Sequence, residues 1–187
     1  MTQAPSQPLM TADDLLLLPD DGYRYELDRG RLIRVSPSST WPNTVAIEIA
    51  SNLNSFVRPR KLGRVGGGEG GLLLSSDPDT VRAPDVWFIR AERLEGGRLP
   101  RRGYVRLAPD IAVEVMSPTD RHGDVLRKVG EYLAAGTRLV WVIYPESRVA
   151  VIYRPEGPPE IIGDDGVLDG EDVVPGFTMA LQDALAD

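Results

Sequence analysis

The chain has 187 residues, of which 42% are hydrophobic and 26% charged, a composition typical of one globular domain with a buried core. No apolar run approaches the roughly 18 residues of a membrane-spanning helix, and the absence of cysteine excludes disulfides, thiolate nucleophiles and cysteine zinc sites, as expected for a cytoplasmic protein. The net charge of −7 argues against binding nucleic acid by bulk charge alone.

The N-terminal part of the chain predicts a short helix followed by a hairpin. We expect a disordered leader over residues 1–10 and a single domain over residues 11–187. Thr11 is suited to cap a helix with the sequence ADDLLLL, which Pro19 ends. The segments YRYEL and RLIRV then predict two strands around an Asp28-Arg29-Gly30 turn.

The next segments predict a long helix and a glycine-rich strand. After a break at SPSSTWP, apolar residues recur at helical spacing from Asn43 to Val57. The segment RVGGGEGGLLL contains a formal GxGxxG match, but neither Gly-Lys-Ser/Thr nor a helix follows it. A flexible hairpin or a bulged strand is therefore expected there, rather than a phosphate cradle.

The second half of the chain alternates strands with one helix. The segments TVRAPDVWFI and DIAVEVMS predict strands separated by a long loop, and a helix is expected from about Asp124 to Ala135, ended by Gly136. RLVWVIY and RVAVIYR predict a hairpin around residues 145–147. The acidic tail GDDGVLDGEDV predicts surface turns before a final helix, MALQDALA.

Two carboxylates in apolar strands are the first candidate site residues. Alternation along DIAVEVMS places Glu114 on one face of a strand that is apolar enough to be central and covered on both sides. Asp85 follows Pro84 at the start of another apolar strand. A buried carboxylate needs an Arg, a Lys or a metal ion beside it, and two such groups suit a hard cation such as Mg²⁺.

Lys128 is the candidate cationic partner. Of the 21 basic residues only two are lysines, Lys61 and Lys128, so a retained lysine indicates a need for a compact amine whose pKa can be adjusted. Lys128 lies at the edge of the apolar stripe of its predicted helix, where its stem could reach the sheet. A lysine at the surface of the helix is the alternative interpretation.

Basic residues cluster in two strips, which either track nucleic acid or are solvated loops. One strip comprises Arg58, Arg60, Lys61 and Arg64, and the other Arg98, Arg101, Arg102 and Arg106. His122 is the only histidine, and we expect it at the surface of the loop before the helix.

An ordered set of segments resembles one protein family. It comprises YEL, APD, APDIAVEVMSPTDR, then K..EYLAAG and VWVIYP. This set is similar to the putative restriction endonuclease family of the PD-(D/E)xK nuclease superfamily, over roughly residues 11 to 180. The resemblance implies an α/β fold of mixed α+β type: a restriction-endonuclease-like core with a central mixed sheet flanked by helices, an N-terminal hairpin and a C-terminal hairpin extension.

The resemblance also implies a metal-dependent endonuclease. Pro84-Asp85 matches the "PD" and Glu114 the "(D/E)", so Asp85, Glu114 and the backbone carbonyl of Val115 would hold Mg²⁺ or Mn²⁺. Met116 stands where the lysine is expected, and Lys128 on the next helix would orient the water and stabilise the transition state. The resemblance further implies that Glu26 and Glu69 bind a second metal or form an outer shell around the first. For such an endonuclease we expect a homodimer that binds DNA through five basic residues: Arg58, Arg60, Lys61, Arg101 and Arg102.

Two alternatives remain open from the sequence. Met116, and the stretch Thr40-Trp41-Pro42-Asn43 where relatives commonly carry a histidine, favour a catalytically degenerate nuclease fold that acts as a DNA-binding or protein-interaction module. In the other alternative, both carboxylates form structural ion pairs with Arg82 or Arg127 in a domain of unrelated function.

Overall fold

The computed structural model describes residues 8–35 and 39–186, which form twelve strands and four α-helices. The helices are α1 Ala12–Leu16, α2 Thr40–Arg60, α3 His122–Ala134 and α4 Leu181–Ala184. The strands are β1 Arg24–Asp28, β2 Arg31–Val35, β3 Gly63–Gly67, β4 Leu72–Ser75, β5 Thr80–Arg82, β6 Val86–Arg90, β7 Ile111–Val115, β8 Leu139–Tyr144, β9 Val149–Tyr153, β10 Glu160–Ile162, β11 Val167–Asp169 and β12 Thr178–Ala180. Short 3₁₀ turns lie at Ala91–Arg93 and Glu95–Gly97.

A six-stranded mixed sheet forms the centre of the molecule. Its order is β10-β9-β8-β7-β6-β3, and only β7 and β8 are parallel. Every residue of β7 is buried, because α2 packs against one face of the sheet and α3 against the other. Ile111, Val113 and Val115 face the α2 side and Ala112 the α3 side, as the alternation predicted. The predicted mixed α+β fold, with a central sheet flanked by helices, is confirmed.

Four strands form a second, antiparallel sheet of order β2-β1-β5-β4. It contains the predicted hairpin of β1 and β2, in which Arg29 and Gly30 adopt positive φ angles of 47° and 74° at the turn. The segment Ala83-Pro84-Asp85 connects β5 of this sheet to β6 of the central sheet. Residues of both sheets therefore meet beside Asp85.

The N-terminal helix is held by a capping box. The Thr11 hydroxyl accepts from the Asp14 N–H, and the Asp14 carboxylate accepts from the Thr11 N–H at 2.8 Å. The N–H of Met10 donates to the Gly30 carbonyl at 2.8 Å, so the end of the predicted leader contacts the hairpin. Residues 1–7 of that leader lie outside the described residues.

Helix α2 is longer than the sequence indicated. It begins at Thr40 rather than Asn43, with Ser39 as its N-cap, so the expected break at SPSSTWP is wrong over Thr40-Trp41-Pro42. Proline is tolerated in the first turn because the N–H groups there have no intrahelical partner. The helix ends at Arg60, where Lys61 takes a left-handed conformation with φ 56°.

The glycine-rich segment forms neither a hairpin nor a phosphate cradle. β3 pairs with β6 and β4 pairs with β5, so the segment passes from one sheet to the other, and the first expectation, a hairpin, is wrong. The register of β4 on β5 shifts between Leu73 and Ser75, which agrees with the second expectation, a bulged strand. A Cβ on Gly67 would lie 2.1 Å from the Asp85 carbonyl oxygen, and a Cβ on Gly66 would lie 2.3 Å from the Trp87 ring. The glycines therefore permit a close approach of backbones next to Asp85.

The tail contains strands that the sequence did not indicate. β10 extends the central sheet beside β9, and β11 pairs with β12. Leu168 and Met179 on the latter pair are buried in the α2-side core, so the segment is not only surface turns. These strands have three residues each, too few for alternation to be recognised. No helix among residues 8–35 and 39–186 is long and apolar enough to span a membrane.

Candidate active site

Asp85 and Glu114 line the same pocket. Asp85 lies directly before β6, and its Oδ2 accepts a hydrogen bond of 2.8 Å from the Val115 N–H. Glu114 points to the α3 side of β7 and is only 7% exposed; its Oε1 accepts from the Tyr132 hydroxyl at 2.6 Å. The pocket has a volume of 590 Å³ and is also lined by Glu26, Val115 and Lys128.

Lys128 brings its amine to these carboxylates. Its Nζ lies 3.2 Å from Glu26 Oε1 and 3.5 Å from Glu114 Oε2, and its side chain is 16% exposed. The interpretation of Lys128 as a surface lysine is therefore wrong. The helical position explains the reach, because Lys128 lies one turn before Tyr132 on the α3 face that packs on the sheet.

Arg82 organises the floor of the pocket. It is fully buried, and its guanidinium donates to Glu26 at 3.0 Å and to both carboxylate oxygens of Glu131 on α3, at 2.5 and 2.9 Å. Glu26 also accepts from the Ala83 N–H at 3.2 Å. The bidentate contact fixes Arg82 against the Glu131 carboxylate. Glu26, itself 1% exposed, is held by one bond from Arg82 to Oε2 and one from the Ala83 N–H to Oε1.

Burial dominates the electrostatics of the two carboxylates. Desolvation raises the pKa of Glu114; the charge of Lys128 opposes this shift, that of Asp85 adds to it, and the net pKa is about 7. The pKa of Asp85 is also raised, mainly by burial, although the Val115 N–H and the charge of Lys128 lower it. The charged forms of Asp85 and Glu114 are therefore less favourable in the folded protein than in water.

The neighbouring groups are held in their charged forms. For Lys128 burial lowers the pKa, but Glu114 and Glu26 outweigh it and the net pKa is raised, so the amine is an ammonium at neutral pH. For Glu26 burial raises the pKa, but Lys128 and Arg82 outweigh it and the net pKa is lowered. The pocket thus presents a fixed ammonium beside two carboxylates that need a further positive charge.

The donor set fits a hard divalent cation. Glu114 is buried and Asp85 half-buried, and a cation between these two carboxylates would stabilise the charged forms of both. Mg²⁺ commonly takes one or two carboxylates and completes its ligands with water and phosphate oxygens. The described residues contain no group of three or more His, Asp or Glu side chains arranged to hold a metal ion. Any cation here would depend on backbone, water or substrate for its remaining ligands.

Several predicted residues lie elsewhere. Glu69 is exposed and lines a neighbouring cleft of 880 Å³ that also includes Asp85. The predicted DNA-binding residues are exposed at the end of α2 and in the loop before β7, and they line neither the pocket nor that cleft: Arg58, Arg60, Lys61, Arg101 and Arg102. Their proposed role stays a prediction.

The basic residues that do line the pocket were missed in the sequence. They are Arg24, Arg34, Arg121 and Arg127, in addition to the buried Arg82. Arg24 and Arg34 lie on the two strands of the hairpin, and Arg121 precedes α3. No short motif marks these positions, because the pocket is assembled from segments distant in the sequence.

The structure also bears on the ion-pair alternative. Arg82 pairs with Glu26 and Glu131, and Arg127 pairs with Asp28 at 2.6 Å. Within the described part of the chain neither arginine contacts Asp85 or Glu114, so that alternative is wrong in its pairing. His122 is exposed, as expected, and lies 3.0 Å from the Tyr144 hydroxyl.

Comparisons with known proteins agree with this fold. The sequence model of the Uma2 family, described as "Putative restriction endonuclease", matches residues 12–182. A crystal structure of a putative nuclease belonging to DUF820, from Anabaena variabilis ATCC 29413, superposes with a TM-score of 0.81 at 23% identity, covering 94% of this chain and 97% of that one. No curated protein matches the sequence. The family match spans nearly the whole chain, and the protein therefore belongs to the Uma2 family of putative restriction endonucleases.

Proposed function

We propose that the protein is a metal-dependent endonuclease that hydrolyses DNA phosphodiester bonds. One observation carries the proposal: Asp85 and Glu114, from two strands, share a buried pocket with the ammonium of Lys128. Asp85, Glu114 and the backbone carbonyl of Val115 would hold one Mg²⁺ or Mn²⁺. When bound, such an ion polarises a phosphate oxygen and lowers the pKa of water.

Lys128 would act directly on the substrate. Its ammonium is fixed by Glu26 and Glu114, so it offers a positive charge at a set position without further rearrangement. A charge placed in this way stabilises the negative charge that develops on the phosphate in the transition state and orients the attacking water. Met116 leaves the usual lysine position apolar, and the amine of Lys128 reaches Glu114 from α3 instead.

The remaining groups position these three. Arg82 and the Ala83 N–H occupy the oxygens of Glu26, which favours an outer-shell role for Glu26 over binding a second metal. The Tyr132 hydroxyl orients Glu114, and the Val115 N–H orients Asp85. Glu69 remains the candidate for a second ion, because it is exposed in the adjoining cleft. Since each chain offers one pocket of this kind, cutting both strands of a duplex calls for a homodimer.

The test is cleavage of plasmid DNA with Mn²⁺ by the wild type and by Asp85→Ala, Glu114→Gln and Lys128→Ala. We expect each variant to lose at least a hundredfold in rate. Glu48→Gln is the matched control, because Glu48 is an exposed carboxylate on α2 that contacts only Asn52. Equal cleavage by the wild type and the three site variants would refute the assignment.

A catalytically degenerate module is the alternative, and the absence of a histidine at Thr40-Trp41-Pro42-Asn43 favours it. None of these four residues lines the pocket: Trp41 packs against the core, and Thr40 and Asn43 line the adjoining cleft. Calorimetry with Mg²⁺ and Mn²⁺ separates the two functions. An endonuclease binds the ion in a manner that Glu114→Gln weakens, whereas a degenerate module does not.

A further inference from the structure

The cleft beside the pocket has uncharged lining residues that the proposed function does not use. Its volume is 880 Å³. Residues of helix α2 line it, together with Gly66 and Gly67 of β3 and with Gly68, which follows that strand. It shares Asp85 and Arg24 with the pocket, so the two spaces are continuous. Whatever occupies the cleft lies next to the candidate site of bond cleavage.

The charges of the cleft do not suit a phosphate backbone. Its charged lining residues in the described part of the chain are Arg24, Glu69 and Asp85, an excess of carboxylates. The pocket is lined by six basic side chains, Arg34, Arg121 and Arg127 among them, against five carboxylates, so its charge balance is more positive than that of the cleft. Since phosphates follow positive charge, we expect the sugar-phosphate backbone at the pocket and a less charged part of the nucleotide in the cleft.

The uncharged lining suits a nucleobase. Helix α2 presents Asn43 and Asn54 together with Ile47, a large apolar side chain that is 60% exposed. Amide side chains can both donate to and accept from base edges, while apolar side chains contact base faces. A volume of this size is in the range of sites that enclose small molecules.

An aromatic side chain stands where the cleft meets the pocket. Tyr23 lines the cleft and is 51% exposed, and Arg34, which lines the pocket, covers one face of its ring at 4.2 Å. With Arg34 in this position, about half of the Tyr23 side chain remains exposed to solvent. Exposed aromatic rings stack with unpaired bases, whereas bases inside a duplex are already stacked on one another.

Resting on the proposed nuclease function, we infer that the preferred substrate is DNA with an unpaired nucleotide next to the scissile phosphate. The base of that nucleotide occupies the cleft against α2 and Tyr23, and its phosphate lies in the pocket. Tyr23 and Ile47 then determine substrate choice, and Asp85, Glu114 and Lys128 act on the bond.

The experiment measures binding of two labelled oligonucleotide duplexes in Ca²⁺, a fully paired, blunt-ended duplex of two strands and the same duplex with an internal unpaired stretch in one strand. We expect the wild type to bind the second roughly tenfold more tightly, in line with the contribution of one stacked base. Ser51→Trp, which fills the cleft from an exposed position, and Tyr23→Ala should both remove the preference. Ser55→Trp is the matched control, since Ser55 is an exposed serine of the same helix outside the cleft lining.

The outcomes separate this inference from the proposed function. Equal binding of both oligonucleotides by the wild type, or an unchanged preference in Ser51→Trp, overturns the inference even if cleavage depends on Glu114. A preference that Ser51→Trp removes supports it even if no bond is cut, in which case the endonuclease proposal fails. Absence of binding to either oligonucleotide overturns both.

Discussion

Replacing Glu114 by Gln should make the metal-free protein more stable above pH 7. Burial and the charge of Asp85 act against the charged form of Glu114, whose pKa rises from 4.5 to about 7. A raised pKa means that the folded state binds more protons than the unfolded state between these two values, so stability falls as pH rises through that window. The difference of about 2.5 units corresponds to roughly 3 kcal/mol above pH 7.

The neutral amide of Gln would remove this penalty while keeping an oxygen for the Tyr132 hydroxyl. Its NH₂ group would face the Lys128 amine, now 3.5 Å from Glu114 Oε2, so we expect a net gain of about 2 kcal/mol. Urea denaturation in EDTA at pH 5 and pH 8 measures it. The wild type should lose stability between the two pH values, and the variant should lose less, because it lacks the Glu114 carboxyl group.

Added Mg²⁺ provides the second half of the test. At a hundred times its Kd the ion should stabilise the wild type by about 2.7 kcal/mol, and Glu114→Gln should gain far less. Glu48→Gln, at an exposed position, should behave like the wild type in both respects. If Glu114→Gln is instead less stable than the wild type at pH 8 and responds equally to Mg²⁺, Glu114 is a structural residue and the reasoning fails.

Three further predictions concern the groups around the carboxylates. Arg82→Met should destabilise the protein by about 3–5 kcal/mol in urea denaturation, because it removes the buried guanidinium that pairs with both Glu26 and Glu131 and leaves Glu26 with Lys128 alone; a loss under 1 kcal/mol would contradict this. Tyr132→Phe should keep the fold but weaken Mn²⁺ binding by roughly tenfold in calorimetry, since Glu114 loses the hydroxyl that orients it; unchanged affinity would exclude that role. Gly67→Ala should lower stability by more than about 1 kcal/mol, because its Cβ would collide with the Asp85 carbonyl, whereas Gly68→Ala, with open space around it, tests only the cost of its positive φ.

The fold elements that position the site could be predicted because each has a strong local signal. Apart from Glu114, β7 is apolar, so alternation alone placed Glu114 on the face opposite Val113 and Val115. The Pro before Asp85 marked the start of β6. The apolar stripe of α3 placed Lys128 at its edge and left open whether the amine reaches the sheet or the solvent; the roles of Lys128 and of the carboxylates stay predictions.

The rest depended on contacts between distant segments. Glu26 and Lys128 are 102 residues apart in the sequence, and Arg82 and Glu131 are 49 residues apart. Neither pair therefore has a characteristic spacing that the sequence alone would reveal. The arginines at the pocket were missed for the same reason, while the two strips of basic residues, conspicuous in the sequence, lie away from it. Similarly, the strands of the tail are too short to show a period and form only because β9 and the core provide partners.

Because the Lys128 amine is on α3, the pocket is complete only when this helix is packed on the central sheet. The two acids belong to strands of the central sheet, whereas the ammonium arrives only when a thirteen-residue helix docks through Val125, Val129 and Tyr132. If this helix frays, the pocket loses the ammonium of Lys128 while the sheet stays intact. Loss of function in this protein can therefore precede global denaturation, and amide exchange in α3 would report it before the strands open.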